Sequence, residues 1–316
     1  MRYRHLGNSG LLVSVVGLGC NNFGRRLDVA GTRRVVDAAL DAGITLLDTA
    51  DMYGDTQSEE FLGEVLTGRR EQVVLATKFG HQGYDMKYGA AAGAKGGRAY
   101  IRRAVEASLK RLRTDHIDLY QLHTPDPRTP IAETLSALDD LVREGKVRYL
   151  GNSNFTGWQI AEAHLVAQQL GATPFVSAQN HWSLLVREAE TEVVPAARHF
   201  GLGVLPYFPL ANGLLTGKIR RGQGIPDNAR LAQRSEWVTE ERLDKVETLT
   251  AWAQKNGRTL LDVGIAALAA QPGCASVISG AMNPEQVRAN AAAGTWEPTA
   301  EQLAEIDAIV PGPVVD

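Results

Sequence analysis

Four side chains in this 316-residue chain have the makings of a proton-delivery set: Asp48, Tyr53, Lys78 and His123. Each stands at or just past the end of a short apolar run. Ile44-Thr45-Leu46-Leu47 runs into Asp48, and Tyr53 follows on the turn Thr49-Ala50-Asp51-Met52-Tyr53-Gly54. Val73-Val74-Leu75-Ala76-Thr77 runs into Lys78, and Ile117-Asp118-Leu119-Tyr120-Gln121-Leu122 into His123. A phenol at its ordinary pKa of about 10 is a poor proton donor near neutral pH. An ammonium ~4 Å away is worth about 4 kcal/mol at an effective dielectric near 20, roughly three pKa units, before burial pushes back. Lys78 is therefore expected to bring Tyr53 into range, with Asp48 keeping the buried lysine charged. A neutral His123 imidazole would donate to, or orient, a carbonyl oxygen as negative charge builds on it. The set suits protonation of a carbonyl oxygen, and the hydride that such a reduction needs must come from a cofactor.

The four share a pocket only if their strands are parallel neighbours whose carboxyl ends converge, as in a (β/α)8 barrel. Strand-like runs occur at 15–18, 44–48, 73–78, 117–122, 149–153, 175–180, 203–207 and 276–279. Helical patterns occupy 32–42, 59–66, 100–112, 131–144, 158–170, 190–199, 240–256, 260–270, 284–293 and 300–310. This alternation is the signature of successive βαβ units. The expected fold is α/β, a (β/α)8 TIM barrel, and with no linker or composition break it reads as one domain over residues 1–316. A turn cluster between apolar flanks at residues 4–13 predicts an N-terminal β-hairpin that plugs one end. Segments 80–97 and 210–237 are too long for routine βα connections. The first reads as a substrate-side loop, the second as a cofactor clasp.

With 44% apolar residues and 22% charged, the chain can bury a large core, and a net charge of -3 gives no reason to expect nucleic acid or an anionic membrane as partner. The basic stretch from Arg102-Arg103 to Lys110-Arg111-Arg113 reads as a solvated helix face. Two distant cysteines, Cys20 and Cys274, indicate neither a disulfide framework nor a zinc site. His81, His116, His123, His164, His181 and His199 have no ligand spacing either, so no metal is expected and a metal-dependent hydrolase is disfavoured. Residues 1–5 lack the apolar core of a secretion signal, and no run approaches the ~20 apolar residues of a membrane span, so the expected location is the cytoplasm. Gly17-Leu18-Gly19-Cys20-Asn21-Asn22 lacks the third glycine of a dinucleotide fingerprint, and residues 213–219 have the wrong spacing for a P-loop. Any nucleotide must bind another way.

Leu46-Leu47-Asp48-Thr49-Ala50-Asp51-Met52-Tyr53-Gly54, Leu75-Ala76-Thr77-Lys78 and Leu119-Tyr120-Gln121-Leu122-His123 resemble signature segments of the aldo-keto reductase superfamily. The likeness continues through Gly151-Asn152-Ser153-Asn154-Phe155, Ala178-Gln179-Asn180, Tyr207-Phe208-Pro209-Leu210, Gly213-Leu214-Leu215-Thr216-Gly217-Lys218 and the segment 280–290. It is nearest to the branch of potassium-channel β subunits and related bacterial enzymes.

The resemblance implies a barrel that binds NADP(H) at its carboxyl face and transfers hydride to an aldehyde or ketone, with Tyr53 as the acid. It implies that Ser153, Asn154 and Gln179 hold the carboxamide and that Tyr207 stacks on the nicotinamide ring. Phe208, Pro209, Leu210, Gly213 and Leu215 would line the pyrophosphate, while Lys218 and Arg230 would clamp phosphates. Asn21, Asp48, Gly280, Met282, Gln286 and Asn290 complete the expected cofactor contacts.

Two departures bear on coenzyme choice. Met282 stands where relatives place Ser, Thr or Arg beside the adenosine 2′-phosphate, and Ala289 where a glutamate is common. NADP(H) is expected, with NAD(H) second. Asn21, Asn22, Phe23, Tyr84 and Trp182 are expected pocket walls for a small carbonyl substrate. The alternative function is a redox-sensing NADP(H)-binding regulatory subunit with little turnover, although those subunits commonly carry asparagine where this chain has His123.

Overall fold

In the computed structural model, which describes residues 1–223 and 230–313, the apolar runs become strands wrapped by the helices between them. Two short strands come first, β1 (Tyr3–His5) and β2 (Leu12–Ser14), paired antiparallel. The barrel strands follow: β3 (Val16–Gly19), β4 (Leu46–Asp48), β5 (Val74–Phe79), β6 (Ile117–Leu122), β7 (Val147–Ser153), β8 (Phe175–Gln179), β9 (Gly203–Val204) and β10 (Val277–Gly280). They form one 8-stranded parallel sheet in the order β10-β3-β4-β5-β6-β7-β8-β9. Its two edges meet, because Val204 N–H donates to Gly273 O at 2.8 Å, Ala275 N–H to Val204 O at 2.8 Å and Ile278 N–H to Pro206 O at 3.1 Å. The sheet is thus closed into a (β/α)8 barrel, and every residue of β6 is buried, as parallel strands covered on both faces require.

Helices α1 (Val29–Asp41), α2 (Gln57–Val65), α3 (Arg98–Leu112), α4 (Ile131–Arg143), α5 (Gly157–Leu170) and α6 (Val193–His199) follow strands β3 to β8 in turn. After β9 come α7 (Glu240–Lys255) and α8 (Leu260–Ala270), and after β10 come α9 (Pro284–Ala293) and α10 (Ala300–Ile309). The strand β9 is shorter than the run 203–207 promised. Pro206 has no N–H for the ladder, and the chain rejoins its neighbour only through the His181–Tyr207 bridge.

The hairpin of β1 and β2 plugs the amino end, where Leu6, Leu11 and Val13 pack against Leu46, Ala76, Leu119, Leu205 and Ala275 inside the barrel. Its turn needs glycine at Gly7, whose φ is +58° and whose missing Cβ would lie 2.3 Å from Gly201 O. The basic stretch on α3 is only partly a solvated face. Arg102 pairs with Glu144 on the surface, but Arg111 reaches inward to Glu59, whose side chain is 0% exposed. A carboxylate hidden on α2 needs a cation, and helix spacing alone did not reveal it.

Candidate active site

Asp48 closes β4, Lys78 is the fifth residue of β5, and His123 follows β6, so three adjacent strand ends bring them to one face. Tyr53 is carried by the turn after β4, which continues through Gly54, Asp55 and Thr56 with φ of 60°, 57° and 78°. Three successive left-handed residues are costly, and such strain persists only where the surroundings enforce it. Here the backbone of Phe23 and Gly24 presses on Gly54 and leaves no room for a side chain.

Lys78 is wholly buried. Its Nζ donates to Asp48 Oδ2 at 2.6 Å, to Thr49 O at 2.8 Å and to Tyr53 Oη at 3.4 Å. The other Asp48 oxygen, Oδ1, accepts from Gln179 Nε2 at 2.9 Å and Gln121 Nε2 at 3.2 Å. Burial alone would discharge the ammonium, yet Asp48 and Tyr53 together lift its pKa above the usual value and keep it charged.

The phenol corrects one expectation. Burial raises the Tyr53 pKa, Lys78 pulls it down, Asp48 pushes it up again, and the net direction is upward. Lys78 does not make this tyrosine acidic, because burial outweighs the pull of the ammonium and the Asp48 charge adds to the upward push. What the ammonium does is donate to the phenol oxygen, so that negative charge on that oxygen would have a cation 3.4 Å away. His123 meets the Tyr53 ring edge-on at 5.9 Å. Burial first, then the Lys78 ammonium and the neighbouring His81, hold its pKa well below the ordinary value, so the imidazole is neutral.

Tyr53, Asp48 and His123 line a cavity of about 1050 Å³ that opens at the carboxyl ends of the strands. Asn21, Ser153, Asn154, Gln179, Tyr207, Phe208, Pro209, Leu210, Gly213, Lys218, Gly280, Met282, Gln286 and Asn290 line it too. Leu215 does not; it is fully buried in an apolar cluster with Leu214 and Val263. Arg230 opens a short 3-10 turn, but its side chain and residues 224–229 lie outside the described part. Of the expected walls, Asn22 lines the cavity, whereas Phe23 is 0% and Trp182 1% exposed and both are packing residues. Tyr84 is bound to Asp55 in the loop 80–97, away from the cavity.

Several of these groups are already engaged. Asn154 donates to His123 O at 2.9 Å and accepts from Tyr207 Oη at 2.8 Å, while Ser153 Oγ donates to Gln179 O at 2.8 Å. Gln179 uses its amide nitrogen on Asp48, so its carbonyl oxygen is the end free for a ligand. Tyr207 stacks one ring face on His181 at 5.4 Å and 12°, which leaves the other face for a planar ring. Beyond it, Phe208, Ala211, Asn212 and Gly213 have φ of 52°, 46°, 59° and 113°, a left-handed cluster of the kind found where backbone amides clamp a ligand. Asn283 caps α9 by accepting from Gln286 N–H at 2.9 Å, and Gln286 Oε1 accepts from Met282 N–H at 2.8 Å, which fixes the far wall. Carbonyl, aromatic face, amide-rich turn and Lys218 suit an elongated, ring-bearing anion.

Sequence reasoning missed Gln121, His81, Thr124, Met52 and Cys20 at this site. Gln121 was foreseeable, since it precedes His123 by two on a strand and shares its face. The Cys20 thiol lines the cavity, but burial pushes its pKa well above the usual value, so it is not a nucleophile. Among the described residues no group of three His, Cys, Asp or Glu is placed to hold a metal ion, and no helix is long and apolar enough to cross a membrane.

Residues 15–311 match the Aldo/keto reductase family. The chain is 40% identical to Uncharacterized oxidoreductase YrpG of Bacillus subtilis (strain 168), over 99% of this chain and 97% of that one. It is 35% identical to a probable voltage-gated potassium channel subunit beta of Oryza sativa subsp. japonica, over 98% and 97% of the two chains. The counterpart from Arabidopsis thaliana is 34% identical over 92% and 90%. Aldo/keto reductases are oxidoreductases that generally use nicotinamide cofactors and small-molecule substrates, and the barrel, the strand-end residues and these likenesses agree: this chain belongs to the aldo/keto reductase family.

Proposed function

We propose that the protein is an NADPH-dependent reductase of aldehydes or ketones in which Tyr53 is the general acid. The observation that carries the reading is the Tyr53 hydroxyl 3.4 Å from the charged, buried Lys78 Nζ on the wall of a large cavity. A bound nicotinamide cofactor supplies the hydride. The residues of this chain do the rest. His123, neutral and next to Tyr53, donates to the carbonyl oxygen and orients it. As negative charge develops, the Tyr53 proton moves from Oη to that oxygen, and because an alkoxide is a far stronger base than a phenolate, the raised pKa of Tyr53 does not hinder the transfer. Lys78 then stabilises the phenolate, and Asp48, held by Gln121 and Gln179, keeps Lys78 charged. Gln179, Asn154 and Ser153 would hold the cofactor carboxamide, and Tyr207 would take the nicotinamide ring on its free face. Lys218 supplies a cation for its phosphates, and preference for NADPH over NADH falls to Arg230, Gln286 and the amides of residues 280–282, since Met282 has no side-chain donor for a phosphate.

The names of the two plant relatives favour a second reading, a redox-sensing cofactor-binding subunit with little turnover. Steady-state NADPH oxidation across a panel of aldehydes and ketones, repeated with NADH and paired with coenzyme binding followed by protein fluorescence, separates the two. Turnover of several carbonyls with tighter NADPH binding supports the reductase. Tight binding without turnover supports the subunit.

A further inference from the structure

His81 lines the cavity together with Tyr53, His123 and Thr124, two residues beyond the end of β5, and the chemistry above does not use it. Its ring meets that of His123 edge-on at 4.8 Å, and His123 meets Tyr53, so the three run in sequence along the wall. Gly83 N–H donates to His81 Nδ1 at 3.1 Å. A ring nitrogen that accepts carries no proton, so the hydrogen of this neutral imidazole sits on Nε2. Lys95 locks the segment by donating to the carbonyls of His81, Gln82 (3.2 Å) and Tyr84 (2.5 Å). Burial and that same ammonium hold the His81 pKa below its usual value, which keeps the ring neutral. Nε2 itself makes no hydrogen bond among the described residues. The outcome is a donor of fixed tautomer, next to the imidazole assigned to the carbonyl oxygen, with nothing among the described residues to receive its hydrogen.

We propose that His81 Nε2–H is a specificity-determining donor for an oxygen on the carbon next to the reacting carbonyl, so that 2-hydroxyaldehydes, 2-hydroxyketones and 1,2-dicarbonyls are preferred over carbonyls with a plain alkyl neighbour. The inference rests on the reductase reading. A substrate that lacks the second oxygen leaves the donor desolvated and unpaired, and a site built to bond an oxygen discriminates strongly against the analogue without it.

The test compares kcat/KM for 2-hydroxypropanal and propanal, which differ by one hydroxyl, in the wild type, His81→Phe, His81→Leu and His81→Gln. The wild type is expected to favour 2-hydroxypropanal by about tenfold or more, the worth of one well-placed hydrogen bond. The ratio should collapse towards one in both variants without a donor, whatever happens to their absolute rates, and largely return in His81→Gln. A wild-type ratio near one, or a ratio unmoved by His81→Phe and His81→Leu, overturns the proposal. Tyr53→Phe measured alongside keeps the two levels apart. Wild-type turnover in that variant sinks the acid assignment, whereas lost turnover with an unmoved His81 ratio sinks only the role given to His81.

Discussion

The Lys78 ammonium and the Asp48 carboxylate stand 2.6 Å apart with side chains 0% and 4% exposed. In so dry a setting the pair is held by geometry rather than by cheap electrostatics: two further donors fill Asp48 Oδ1, and Thr49 O takes another Lys78 hydrogen. Removing one partner strands the other charge. Lys78→Met and Asp48→Asn are each expected to cost about 3–5 kcal/mol in urea unfolding, and the double variant should lose clearly less than the two losses added together. Additive losses would mean the two groups do not depend on each other.

The pH profile follows from the direction of the Tyr53 shift. Burial holds the phenol above its ordinary value, and His123 is kept neutral well below its own. Neither group then changes state between about pH 7 and 9. Carbonyl reduction should show a flat kcat/KM across that interval and fall only above about pH 10, as Tyr53 loses its proton before substrate binds. An inflection near pH 7 would show instead a phenol already made acidic by Lys78.

A second buried carboxyl leaves a mark on stability. Asp51 is 1% exposed, neither of its oxygens has a hydrogen-bond partner among the described residues, and burial followed by the Glu59 charge pushes its pKa up to about 8. Because the folded protein keeps this proton where the unfolded chain has lost it, stability falls as pH rises and the loss continues until about pH 8. The slope is about 1.4 kcal/mol per pH unit for one such group. His81 and His123, both depressed, act in the opposite sense, but only below about pH 6.5, where the unfolded chain takes up protons. Thermal unfolding of wild type between pH 6.5 and 8 should therefore show a falling Tm that Asp51→Asn flattens. Parallel slopes for the two proteins would remove Asp51 from the account.

The amino-end plug is separable from the chemistry. Gly7→Ala adds a Cβ 2.3 Å from Gly201 O at a φ of +58°, so the hairpin must shift or lift. A drop in Tm of several degrees with an unchanged coenzyme dissociation constant is expected. Weaker coenzyme binding would tie the two ends of the barrel together.

Much of this was legible in the residues, for reasons that differ from place to place. The run 117–122 became β6 with the same bounds; Asp118 and Gln121 break its apolar pattern, yet both are buried, as a strand covered on both faces requires. Asp48, Lys78 and His123 stood out because each lies at or just past the end of a strand-like run, and Tyr53 because it follows on the turn after one. Pro206 shortened β9 in a way that the apolar pattern could not register, and no local pattern marks Glu59 in its helix or Asp51 in its turn as hidden, although both are. Trp182 read as a pocket wall because it follows a strand end, but its indole N–H is turned to Glu190 at 2.8 Å and its ring is buried. The sign of the Tyr53 shift was misread because a pairwise figure for Lys78 gave too little weight to burial of the phenol and left out the Asp48 charge beside it. His81 was weighed only as a metal ligand, because its place at the cavity depends on Gly83 and Lys95, which no local spacing links to it.

Single-turnover reduction of a reactive aldehyde by preformed NADPH complexes of wild type and Tyr53→Phe tests the central claim most directly. The account predicts that the variant binds NADPH as the wild type does and transfers hydride slower by about 10²- to 10⁴-fold, the usual contribution of a general acid. Hydride transfer at the wild-type rate in Tyr53→Phe would contradict it.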